Sequence, residues 1–191
     1  MGVSKPYYFV RVNGDTTHNN PGNPSCWIPG EPPTFPETYF NYADYCLTNG
    51  LIRIGWPAVG NLTRHPDVPE STPCYDNIDP HIRAYLQDFR DIAVGSVILM
   101  PDKDRPGVLY IGTTTGPYVY TYNPPRDPYE CAHRIPITWD RKVGAFAEYD
   151  AHRLAIKTLG GFWTRAFHRI DRSQSSAVLE RIEAARRARI G

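Results

Sequence analysis

Residues 94–122 read VGSVILMPDKDRPGVLYIGTTTGPYVYTY. Val94-Gly95-Ser96 forms a turn, and Val97-Ile98-Leu99-Met100 is an apolar run of strand length, the signature of a buried strand. Pro101 to Gly107 is a charged turn. Val108-Leu109-Tyr110-Ile111-Gly112-Thr113 is the next strand, and Gly116-Pro117 punctuates it. Tyr118-Val119-Tyr120-Thr121-Tyr122 then resumes in period two, which puts all three tyrosines on one face. Strand follows strand here with no helix between them. The chain therefore lacks the alternating strand-helix pattern of a doubly wound fold, and the expectation is an α+β domain built on a small curved sheet or barrel.

Working outward, Tyr7 to Val12 reads as a strand rich in aromatic and β-branched residues, stopped by Asn13-Gly14. Residues 15–36 are proline-dense and carry Trp27, a length typical of binding loops and lids. Residues 37–48 suit a short helix, and Leu51 to Trp56 a second strand ended by Pro57. His81 to Ile92 is helical, with Ile82, Tyr85, Leu86 and Phe89 on one face and Asp79-Pro80 marking its start. His133 to Trp139 is a further strand, and Pro136 within it points to an edge or a bulge. From Ala145 the pattern turns helical. Phe162 to Ile170 fits a short strand or helical turn, and Ser175 to Arg189 a helix. Arg186, Arg187 and Arg189 in its last turn suit the negative end of the helix dipole or a phosphate contact, and both readings stay open.

The 191 residues contain 21 Lys+Arg against 20 Asp+Glu, a net charge of +1 that excludes a highly basic polymer binder. The balance is uneven. Residues 1–100 hold 6 Lys+Arg and 10 Asp+Glu, and residues 101–191 hold 15 and 10, so halves of −4 and +5 face an anionic partner differently. No apolar run approaches the ~20 residues that span a bilayer. Met1 to Tyr8 shows no secretory h-region, so the expected setting is cytoplasmic, without a membrane partner. Cys26, Cys46, Cys74 and Cys131 form no C-x-x-C pair, and no spacing links them to His65, His81 or His133 as a zinc site. No metal or cofactor is expected.

Nucleophile and phosphate-loop signatures are missing. Asp102-Lys103-Asp104 resembles an acidic pair able to hold Mg²⁺, but its place between strands favours a solvated hairpin turn. What remains is the aromatic content, 13% of the chain with 13 Tyr and 4 Trp. Rings at strand ends and in nearby loops suit a planar ligand such as a nucleobase. Trp27, Trp56 and Tyr118 are the candidates for that role. Tyr8, Tyr110, Tyr120 and Trp139 read as core by pattern, and Trp56 admits either reading.

Four segments occur in order: Ile52-Arg53-Ile54-Gly55-Trp56-Pro57, Val94 to Pro101, Tyr110 to Tyr120, and His133-Arg134-Ile135-Pro136-Ile137-Thr138-Trp139. The series resembles the PUA-like superfamily, closest to the EVE and YTH-like modules of bacterial modification-dependent restriction systems. The likeness covers about residues 7–140, with Arg165 to Ile170 similar to the family's closing segment. It implies a small, strongly bent β-barrel with flanking helices over residues 1–144, and a helical C-terminal extension over 145–191. It further implies an aromatic pocket for a flipped base, which Trp56, Tyr118 and Tyr120 match by motif position; the residue reading adds Trp27 from the proline-dense loop and Asn61 beside Trp56. Phosphate contacts would fall to Arg53, Arg134, Arg165 and Arg169. Ser96 stands where the family often has Asp, and Ile135-Pro136 replaces a more basic segment.

The expected function is thus a non-enzymatic reader that flips a modified base, in DNA, into an aromatic pocket. A separate nuclease effector would be its partner. Two alternatives remain. One is a small hydrolase of modified nucleosides, for which Lys5, Glu37 and Asp102 are the available groups but have no supporting spacing. The other is a modified-RNA reader, which would favour unpaired bases and the 2′-OH.

Overall fold

The computed structural model describes residues 5–11, 41–54, 60–64, 80–102, 104–121, 132–159 and 167–190. In chain order these form β1 (Tyr7–Val10), α1 (Tyr42–Asn49), β2 (Leu51–Ile54), a 3-10 turn (Leu62–Arg64) and α2 (Pro80–Arg90). There follow β3 (Val97–Pro101), β4 (Val108–Thr114), β5 (Val119–Tyr120), β6 (His133–Trp139), β7 (Arg141–Lys142) and β8 (Ala145–Phe146). β9 (Glu148–Asp150), a second 3-10 turn (Ile156–Thr158), β10 (Phe167–Arg169) and α3 (Arg172–Ile190) complete them.

The strands lie in the order β10-β1-β3-β4-β6-β2, with β9 beside β4 and β5 beside β6. The β1–β3 pair is parallel and the other ladders are antiparallel. All five residues of β3 are buried because both faces of the sheet are covered. On one face Tyr8, Ile98, Met100, Ile135, Ile137 and Trp139 pack with Leu86 and Phe89 of α2 and Cys46 and Leu47 of α1. On the other, Tyr7, Phe9, Leu99 and Ile111 meet Val178, Leu179 and Ile182 of α3. The result is an α+β fold with a strongly curled sheet between helices.

The curl originates where strands change partners. The first half of β4 pairs with β9, and its last residues with the end of β6. The start of β6 pairs with β5 on that same side, while β2 runs along its other side. Gly112 sits at this corner. A Cβ there would lie 2.7 Å from Ile137 Cδ1 and 2.8 Å from the Thr138 carbonyl oxygen, so only glycine lets the strands approach this closely.

Local chemistry fixes the junctions. Asn41 caps α1 by accepting from the Asp44 amide (3.0 Å), and Gly50 ends it in the left-handed region at φ +60°. The Gly50 carbonyl then accepts from Ile137 N (2.8 Å), so the helix stop is also a strand contact. Asp102 organises the turn before β4. Its Oδ1 accepts from the amides of Asp104 (2.9 Å) and Arg105 (3.2 Å), and its Oδ2 from Arg105 Nε (2.7 Å). The acidic triplet therefore spends its first carboxylate on a hairpin turn.

Two expectations change. Pro136 marks neither an edge nor a bulge: β6 is an interior strand. The Pro136 carbonyl accepts from Thr115 N (3.0 Å), on the side where β4 has ended and β5 has not begun. Its missing N–H faces that gap, so no ladder bond is lost. Residues 145–150, read as helical, instead form β8 and β9, and β9 and β10 both hydrogen-bond into the main sheet. Tyr149 drives this, buried between exposed Glu148 and Asp150 in a two-residue alternation.

Helix α3 is stapled to the sheet near its end. Arg186 donates Nε and Nη2 to the two Asp140 oxygens (2.8 and 2.9 Å) and Nη2 also to Thr113 Oγ1 (2.9 Å). Tyr149 donates its phenol to Asp140 Oδ2 (2.8 Å). The Arg189 guanidinium stacks 4.6 Å from the Tyr149 ring centroid. Of the two readings of the terminal arginines, Arg186 follows neither: its fork closes on a buried carboxylate.

Candidate nucleic-acid interface

The register places one set of strand ends on a common rim. β1 begins beside the start of β3 (Tyr7↔Val97), which lies opposite the end of β4 (Val97↔Thr113). β5 continues from there toward the first residues of β6, where Ile54, the end of β2, pairs with His133. The Asp102 turn and the β7–β8 hairpin occupy the other rim.

On the first rim, ring-bearing residues converge on His133. Its ring centroid lies 5.9 Å from Tyr118 and 5.2 Å from Tyr120, the latter edge-on. Tyr118 is 6% exposed, so its ring forms wall rather than open surface, while Tyr120 is half-buried. The Leu62 amide donates to the Tyr118 phenol oxygen (3.3 Å), and that oxygen lies 2.7 Å from His133 Nδ1. Arg90, at the end of α2, holds the same turn from the other side through the Leu62 carbonyl (3.4 Å).

Asn61 directly precedes this turn. Its Oδ1 accepts from the Thr63 amide (3.0 Å) and hydroxyl (2.8 Å), which leaves the carboxamide nitrogen as the donor it can offer a ligand. The structure thus brings Tyr118 and Tyr120 together at His133, and Asn61 precedes the turn whose Leu62 amide binds the Tyr118 phenol. Trp27, Trp56 and Arg165 lie outside the described residues.

The remaining arginines divide. Arg53 and Arg134 are cross-strand partners in the β2–β6 register, so they share a sheet face. By strand alternation that is the face opposite His133 and Tyr120. Arg53 is buried, its guanidinium 3.8 Å from the Tyr42 ring centroid, and Arg134 is half-buried. Arg169 lies at the end of β10, on the rim but at the far edge of the sheet. Sequence reasoning passed over His133 as a site residue. The available signal was its phase: it shares the inward alternation of Ile135, Ile137 and Trp139.

Burial holds the phenols of Tyr7, Tyr8, Tyr118 and Tyr149 in their protonated form. That of Tyr7 is pushed up to about 12, with the Glu183 carboxylate adding to the effect. Burial also raises Tyr118, and burial with Asp140 raises Tyr149. In the unfolded chain these groups ionise near pH ~10. Native tyrosines thus keep protons that unfolded ones lose. Their contribution is complete below pH ~10 and is lost as pH rises from there toward the raised native values. Thermal melts should show a flat midpoint from about pH 7 to 9 and a steep fall above ~10; a midpoint unchanged to pH ~11.5 contradicts this.

Comparison with known proteins gives two findings. A solved structure, the YTH domain of the Zygosaccharomyces rouxii MRB1 protein in complex with N6-methyladenosine RNA, is similar over 94% of this chain and 87% of that chain. Its sequence identity is 8% and its TM-score 0.45. No curated protein matches the sequence. One family model, described as a domain of unknown function, matches residues 38–160, the span from α1 through β9 that carries the His133 cluster and the Gly112 corner. With more than half of its length matched, the chain belongs to this family, DUF8426.

Proposed function

We propose that the protein is a non-enzymatic reader of a modified base in nucleic acid, DNA in the first instance, held at the rim around His133. The observation that carries the reading is the convergence of Tyr118 and Tyr120 on one buried histidine, beside the strand ends and the turn that follows Asn61. A planar base needs a ring to stack on and a few fixed polar groups to read its edge. The half-buried Tyr120 offers the ring, and the Asn61 amide the edge contact. Trp27 and Trp56 complete the proposed cage, and Arg53, Arg134, Arg165 and Arg169 the proposed phosphate contacts. A separate nuclease would act on what the reader binds, in a cytoplasmic setting. Base flipping is part of the proposal, since a base stacked in a duplex cannot enter an enclosed pocket.

The hydrolase reading is less favoured because its candidate groups are apart. Asp102 lies on the opposite rim and is committed to its turn, and Lys5 lies at the start of β1. Glu37 lies outside the described residues.

The test is a binding titration with duplexes bearing N6-methyladenine, 5-methylcytosine or 5-hydroxymethylcytosine, with the matching RNAs alongside. Tyr120→Ala should weaken binding of the preferred strand by roughly 1–3 kcal/mol. Equal affinity of wild type and Tyr120→Ala for every strand would remove Tyr120 from the site.

A further inference from the structure

A cleft of about 470 Å³ opens where β1 begins, β10 ends and α3 starts, lined by Lys5, Tyr7, Arg169, Ile170, Asp171 and Arg172 among others. Its walls are fixed by backbone and cap chemistry. The Ile170 amide donates to the Tyr7 carbonyl (2.9 Å), and Tyr8 pairs with Arg169 across the ladder. Asp171 Oδ1 accepts from both the amide (2.9 Å) and hydroxyl (2.8 Å) of Ser173. The helix start is therefore capped from within, and the cleft's one carboxylate is committed to that cap. The Arg172 guanidinium lies 5.7 Å from the Tyr7 ring centroid, which steadies it over the cleft wall. Three cations thus surround one engaged carboxylate. Among the described residues no ion pair involves Lys5, Arg169 or Arg172.

We infer that this cleft receives a backbone phosphodiester of the nucleic acid whose base is read at His133. The inference rests on the reader function proposed above and adds Lys5 and Arg172 to its contacts. Two arginine forks and an ammonium match phosphate oxygens, and the size admits a nucleotide's phosphate and sugar. Position supports a continuous track. Lys5 and Tyr118 lie on the same rim, two strand spacings of ~4.8 Å apart by register, so about 10 Å. At ~3.4 Å of rise per nucleotide that is on the order of three nucleotides, a separation one bound strand can bridge. The matched family span, residues 38–160, leaves out all three cations, so the cleft belongs to the segments flanking it.

The experiment titrates a fluorescein-labelled unmodified duplex of about 16 base pairs, and its modified counterpart, with the full chain at about 50 to 200 mM NaCl. Lys5→Gln, Arg169→Gln and Arg172→Gln should each weaken binding of both duplexes by about 3- to 10-fold. Each should flatten the log-affinity against log-salt slope by about 0.9. Lys5 and Arg169 have exposed side chains, so their variants carry the test should Arg172→Gln fold poorly. Sodium phosphate alone, added at low millimolar level, should compete only weakly. If it displaced the duplex stoichiometrically, the site would be one for free phosphate. Unchanged affinity and slope in the variants, or no wild-type binding to unmodified duplex at the lowest salt, would overturn the cleft assignment. The two proposals separate cleanly. Loss of affinity in the cleft variants with no preference for any modified base keeps the cleft and removes the reader. Preference for a modified base with cleft variants like wild type does the reverse.

Discussion

Arg186→Ala should cost about 3–5 kcal/mol of folding stability, read as a fall in the urea midpoint with the slope unchanged. The Arg186 side chain is 12% exposed and that of Asp140 7%. Deleting the guanidinium leaves a buried carboxylate with the Tyr149 phenol but no cation, and desolvation of that charge sets the size of the loss. The cost is one of imbalance, not the net worth of the pair. Arg186→Met combined with Asp140→Asn should therefore recover much of it, because no unpaired charge is left behind. A double variant as unstable as Arg186→Ala would show that packing, not charge, dominates at this end of α3.

Gly112→Ala should destabilise by about 3 kcal/mol, the upper end of the cost of overpacking a tight site. The added methyl meets Ile137 Cδ1 at 2.7 Å, Ile137 Cγ1 at 2.9 Å and the Thr138 carbonyl at 2.8 Å. The isoleucine can change rotamer, but the carbonyl belongs to the β6 backbone and moves only if the strand does. The loss should reach the site as well. β6 carries His133 at its other end, so splaying β4 from β6 shifts the ring cluster. A variant within ~0.5 kcal/mol of wild type by thermal or urea melts would mean that the corner relaxes freely.

How much of this was legible in the sequence depends on whether the cause is local. The β3 and β4 strands show in runs of β-branched and apolar residues, and α2 in the 3–4 spacing of Ile82, Leu86 and Phe89. Their hydrophobic periods report burial directly. β9 did not show, because an alternation of three residues around Tyr149 is too short to outweigh the helical composition around it. Pro136 misled because a missing amide is harmful only where a partner strand is present. The gap between β4 and β5 is a tertiary fact. The Arg186–Asp140 pair spans 46 positions and has no local pattern. At the site, Trp56, Tyr118 and Tyr120 came from ordered short motifs, and Trp27 and Asn61 from the loops beside them. His133, Lys5 and Arg172 owe their placement to the register and to the meeting of β1, β10 and α3, which no spacing along the chain encodes.

The central claim is that this α+β domain reads a modified base at the rim around His133. The most direct measurement is the ratio of dissociation constants for unmodified and modified strands of the same sequence, at one salt concentration, across the DNA and RNA panel. The account predicts that at least one modified strand binds tighter by about tenfold or more, with the preference abolished by Tyr120→Ala. A ratio near one for every strand tested would contradict it.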